Sequence, residues 1–165
     1  MKTYNTVFEI TQRGYEWWPL VYGFIFVLAG LFFLMIHRQI SEKQKAAKIF
    51  ALVFTAFSLM WMFAYFSKSW QPYQEAVRAY REGKCAIAEG TVEDFSTRAP
   101  SVSGDGDMES FKVNGVKFQY LERWVPVSPG FHTTQSQGGI IRNGLKVRIH
   151  HTDSIILKLE VDSTS

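Results

Sequence analysis

The sequence predicts an α+β membrane protein, a two-helix transmembrane hairpin followed by a small antiparallel β-barrel of OB or SH3 type with about five strands. Three observations carry this. Residues 17–36 and 49–66 contain no charged side chain. The net charge of +3 lies wholly in the connector between them. From residue 84 onward the apolar period changes from helical to two. A mean hydropathy near zero conceals this division. Aromatics at 16% and one Cys exclude a disordered chain, a disulfide framework and a tetrathiolate zinc site.

Residues 1–16 read as a short N-terminal tail in which Lys2 and Arg13 balance Glu9 and Glu16. No small-x-small site lies between the first apolar run and the charges that follow it, and the run exceeds a signal core, so a retained anchor is expected. As helices, residues 17–36 and 49–66 measure roughly 27 to 30 Å, the thickness of a hydrocarbon core, and neither has the polar face of a soluble helix. In the basic loop 37–48, Arg38, Lys43, Lys45 and Lys48 oppose only Glu42. The positive-inside rule therefore puts this loop in the cytoplasm, with both termini outside. Tyr15, Trp17, Trp18 and Tyr22 then share an interface with Tyr65, Trp70 and Tyr73. Spans without ionisable groups lack the devices of pumps, proton relays and voltage sensors. Gly23 and Gly30 on the first helix, and Ala51, Thr55 and Ser58 on the second, form stripes of small residues that pack against each other or against a neighbouring copy.

Residues 67–83 read as an amphipathic linker helix, with Tyr73, Ala76, Val77 and Tyr80 at helical spacing after Pro72 and a stop at Gly83. Residues 84–165 form the extracytoplasmic β domain. Its first strand, 85–95, places Cys85 and Ile87 on one side and Val92 on the other parity, which a bulge at Glu89-Gly90 reconciles. Asn114-Gly115 marks a two-residue hairpin that sets Val113 opposite Val116 and Phe111 opposite Phe118. Leu145, Val147 and Ile149 alternate with polar residues before Thr152-Asp153-Ser154 turns the chain into Ile155, Leu157, Leu159 and Val161. Closure into a barrel would bury these faces and limit exposed edges.

The run EGTVEDF, ESFKVNGVKFQY, GLKVRIHH and ILKLEV resembles uncharacterised bacterial membrane proteins in which anchoring helices precede a small β domain with an E-G-T-V strand and an F-x-V-N-G-V-x-F hairpin. The resemblance covers residues 85–161 and implies a fold and a bacterial setting, so that the membrane expected is the bacterial inner membrane, with no activity attached.

Candidate site residues fall in two places. The connection 122–144 is long for a small domain, and residues 123–127 have the make-up of a short strand. Its Trp124, Phe131, His132, Gln135, Gln137 and Arg142 are the expected recognition surface. Lys112, Lys117, Lys146 and Arg148, with His150, line one strand face as a basic strip that is either solvated or turned to anionic lipid or glycan, and not to nucleic acid in a neutral domain outside the cytoplasm. His132, His150, His151 and Asp153 are the available metal ligands, yet neighbours on a strand point to opposite faces and no H-x-H or HExxH spacing occurs. Asp105, Asp107 and Glu109 alternate in a Gly-rich loop that lacks the calcium-loop pattern. Cys85 has no base inferable from spacing, and it reads as a small buried residue or as the former of an intermolecular disulfide. With no phosphate loop, nucleotide fingerprint or nucleophile turn, no catalysis and no cofactor are expected. A binding or assembly module is expected, its partners the bilayer and a protein or a second copy. The rivals are a structural subunit of a larger membrane complex and a metal-assisted extracytoplasmic hydrolase using His132 with His150 or His151.

Overall fold

The computed structural model describes residues 3–38, 45–98, 107–121 and 129–163. In chain order the elements are β1 (Tyr4–Glu9), a single turn α1 (Ile10–Arg13), α2 (Trp18–Arg38), α3 (Lys45–Arg81), β2 (Ala86–Arg98), β3 (Met108–Val113), β4 (Val116–Leu121), a 3-10 turn (Gln135–Gln137), β5 (Lys146–Thr152) and β6 (Ile155–Asp162). They make two compact units, one of Met1–Gly14 with Gln71–Ser165 and one of Tyr15–Trp70.

The helical unit contains two helices long and apolar enough to cross a membrane. Pro19 in the first turn of α2 occupies a place where a missing N–H costs nothing. The expected small-residue stripes meet each other. A Cβ on Gly30 would overlap Thr55 Oγ1, and one on Gly23 would lie 3.3 Å from Met62. Ala51, Thr55, Ser58 and Val27 are the buried residues of this contact. Thr55 and Ser58 donate their hydroxyls to the carbonyls of Ala51 and Phe54, each at 2.8 Å, so the close approach buries no unsatisfied hydroxyl there. The remaining faces carry large exposed apolar side chains, among them Phe24, Phe32, Phe50, Phe57 and Phe63.

The expected linker helix is not separate. Helix α3 runs through Pro72 without a break and ends at Arg81, where Gly83 takes φ +67. Lys84 N–H then donates to Ala79 O and Gly83 N–H to Tyr80 O, the paired bonds of a Schellman stop. Ala76 and Val77, at the helical spacing read from the sequence, are buried in the core of the sheet unit, with Tyr73 and Tyr80 packed beside them.

All strand pairs are antiparallel, in the order β1-β6-β5-β2-β3-β4. Three expectations are corrected here. Among the described residues the sheet has six strands, because Tyr4–Glu9 of the supposed tail pairs with β6 from Tyr4 opposite Asp162 to Glu9 opposite Lys158. Among the described residues the sheet is open, with β1 and β4 as its edges, so these strands close no barrel. Phe131 from the long connection bridges instead: its N–H donates to Ile156 O, and its ring packs on Phe8 of β1 and Tyr120 of β4. Finally, the bulge in β2 lies between Glu93 and Ser96, where Asp94 adopts φ +51, and not at Glu89-Gly90. Ala88 and Val92 thus share the core face through an unbroken ladder with β5, and Ile87 is exposed. The β3–β4 register is the expected one, with Asn114-Gly115 at positive φ.

Candidate functional site

The long connection is tied down by one carboxylate. Glu109, expected in a flexible acidic loop, lies in β3 and is fully buried. Its Oε2 accepts from Tyr120 Oη at 2.7 Å and its Oε1 accepts from the backbone N–H of Gln135 at 2.6 Å. Gln135 continues the tie, donating from Nε2 to Ile141 O at 2.8 Å. Gly139 seals the loop, since a Cβ there would strike the carbonyl oxygens of Thr133 and Thr134. Burial, and then the bond to Glu109, push the Tyr120 hydroxyl well above the ordinary phenol value.

Of the six expected recognition residues, Gln135, Gln137 and Arg142 are exposed, the Gln135 side chain also donating to Ile141 O, whereas Phe131 is a core residue. Trp124 and the short strand expected at 123–127 lie outside the described residues, as does Asp105. His132 is half-buried at a hollow of about 140 Å³ that it shares with Gln119, Leu121, Phe131, Ser154 and Ile155. Burial lowers its imidazole to about 4, helped by the positive charge of Arg13.

Two residues of the basic strip are charge-compensated. Lys112 pairs with Asp94 at 2.7 Å, and Arg148 pairs with Glu89 at 2.9 Å while lying 4.2 Å from the centre of the Tyr4 ring. Tyr4 Oη donates to the other Glu89 oxygen at 2.9 Å, so the unforeseen strand β1 supplies part of this cluster. Lys117 stands opposite Lys112 across the hairpin, and Lys146 opposite Thr91. Among the topology residues, Lys45 and Lys48 open helix α3, and Lys43 lies outside the described residues.

The histidines do not converge. His151 is buried against the Phe118 ring, with its Nδ1–H donating to Asp153 O at 2.7 Å, while His150 stands on the opposite face. Among the described residues no three His, Cys, Asp or Glu side chains gather as a metal site. One association escaped sequence reasoning: His150 Nδ1 lies 3.8 Å from Cys85 Sγ. The period-two pattern of β5 puts His150 on the non-core side, but the strand paired with it cannot be read from that pattern. No protein-family model, curated protein or solved structure matches this chain.

Proposed function

We propose that the chain is a two-span protein of the bacterial inner membrane that holds its sheet domain at the outer face as a binding or assembly module. The β1–β6 ladder carries the reading. Residues 4–9 precede the first apolar helix, residues 155–162 follow the second, and the two pair in one sheet. Both ends of the helical unit therefore return to one folded body. A chain built this way crosses a bilayer an even number of times, and the two apolar helices supply that number. The ladder also argues for a retained anchor, since cleavage after the first apolar segment would remove β1. The exposed phenylalanines of both helices support lipid as their solvent, because water-facing apolar surface of that extent is rare.

Orientation rests on Arg38, Lys43, Lys45 and Lys48, which keep the connector cytoplasmic. The partner of the sheet domain, a protein or a second copy, meets the exposed part of the Glu109-anchored connection near Gln137 and Arg142. The charged strand face, half of whose basic residues are paired with Asp94 and Glu89, offers nucleic acid little.

Impermeant-maleimide labelling of spheroplasts tests placement. In a Cys85→Ala background, Lys84→Cys, at a side chain 74% exposed, reacts and Ser41→Cys reacts only after permeabilisation. The reverse pattern refutes the orientation, and equal reaction of both refutes the two-span reading. Crosslinking in native membranes tests the module, which predicts adducts through Gln137→Cys or Arg142→Cys. Adducts confined to the helices favour a structural subunit of a larger complex instead.

A further inference from the structure

One face of the sheet gathers three elements, α3, β5 and β6, around the chain's one thiol, which lies just before β2. Cys85 Sγ lies 3.8 Å from His150 Nδ1 on β5, and His150 Nε2 lies 3.7 Å from Glu160 Oε2 on β6. The other oxygen of Glu160 holds Lys158 Nζ at 2.7 Å. The ring of Tyr80, from the end of α3, meets the imidazole edge-on with centroids 6.1 Å apart. Strand register fixes the set: Ile87 and Lys158 flank His150 on its two neighbours, so Cys85, two residues before Ile87, shares the face of His150.

This order of groups has chemical meaning. A carboxylate beside Nε2 favours the tautomer with hydrogen on that nitrogen, which leaves the Nδ1 lone pair toward the thiol. Burial lowers the affinity of His150 for a second proton; Glu160 opposes that effect, and Lys158 and Arg148 reinforce it. The imidazole is thus held as a neutral base, and Cys85 is half-buried, open to a small reagent.

We propose that Cys85, His150 and Glu160 form a thiol-exchange site for low-molecular-weight disulfides, with Cys85 as nucleophile, His150 as its proton acceptor and Glu160 as a positioning residue. Cys85 Sγ bonds to one sulfur of the disulfide as the original S–S bond breaks. The thiol proton passes to His150 Nδ1 and from there to the departing thiolate. The products are a mixed disulfide on Cys85 and one free thiol, so Cys85 is oxidised and the small disulfide reduced. Exchange of this kind asks for a deprotonated sulfur and an open approach. Acyl transfer would ask in addition for prearranged oxyanion donors. The site goes beyond the display role and holds for either orientation in the membrane.

The test uses the full chain in detergent micelles with dithiobis(nitrobenzoate) as the disulfide, one equivalent of released thiolate reporting on Cys85 alone. The native protein at pH 7 should react about tenfold or more faster than His150→Gln. Its rate should follow loss of the His150 proton, which burial places below the ordinary imidazole value, and not the titration of an unassisted thiol. Glu160→Gln should move this pH profile, and the urea-unfolded proteins should all react alike. Reaction of His150→Gln at the native rate overturns the proposal. So does a native profile matching a peptide thiol, or a Cys85 unreactive until unfolded; these two need no variant and decide the matter even where His150→Gln disturbs the strand.

Discussion

Replacing Tyr120 by Phe isolates the contribution of the Glu109 tie. The ring is nearly buried and packs edge-on against Phe111 and Phe131, with centroids 6.2 and 5.5 Å away, and the substitution leaves those contacts in place. It removes one donor, so Glu109 Oε2, fully buried, loses its bond of 2.7 Å. An acceptor left unpaired in the interior costs about 1–3 kcal/mol. For a domain of about 100 residues, 1 kcal/mol moves the midpoint by about 4 °C, so a fall of about 4–12 °C is expected in thermal unfolding of the sheet unit. Global stability alone would not identify the tie, so the assay adds amide hydrogen exchange at Gln135, whose N–H donates to the same carboxylate. Protection there should fall by more than the global loss, because a carboxylate released on one side holds the loop less firmly. A variant with native midpoint and native Gln135 protection would refute the view that Glu109 anchors the connection.

Acid should weaken the sheet unit through His132. Its folded value of about 4 lies below the ordinary 6.5, so the unfolded chain binds the extra proton first; the contribution is whole above pH 6.5 and declines as pH falls toward 4. The full shift sets an upper bound of about 3 kcal/mol, and partial exposure brings it to about 1–2 kcal/mol; His132→Gln should flatten that limb of a stability–pH curve. Gly30→Leu, set against Thr55, should destabilise the helical unit in detergent by about 1–3 kcal/mol, whereas Leu31→Ala on the exposed face should change it little. Phe8→Ala should cost the sheet unit about 3 kcal/mol by chemical denaturation, since Phe8 is buried against Phe131, while a loose tail would give no change.

What could be read from the chain follows the range of the physics involved. The apolar helices, hairpins and the linker face announce themselves in local pattern: Val113 faces Val116 because Asn114-Gly115 dictates it, and Tyr73, Ala76, Val77 and Tyr80 recur at the interval of one helix face. The tie at Glu109 was not legible, because a carboxylate beside Asp105 and Asp107 looks solvated until β3 carries it inside. Nor was the Cys85–His150 approach, which depends on β2 lying beside β5, a pairing of residues 65 apart.

Strand β1 is the most instructive omission. Its segment YNTVFE offers one buried side chain, Phe8, and its register shifts between Thr6 and Phe8, so no alternation marks it. What makes it a strand is the free edge of β6, more than 150 positions later. Such pairing is slow to form because loop closure must precede any gain from contact. In the two-span reading β1 is made first and must wait until both helices have crossed and β6 has emerged on the same side. On that reading the ladder that completes the sheet depends on correct insertion of both helices, and the Tyr4–Glu89–Arg148 cluster would assemble only in chains that have achieved it.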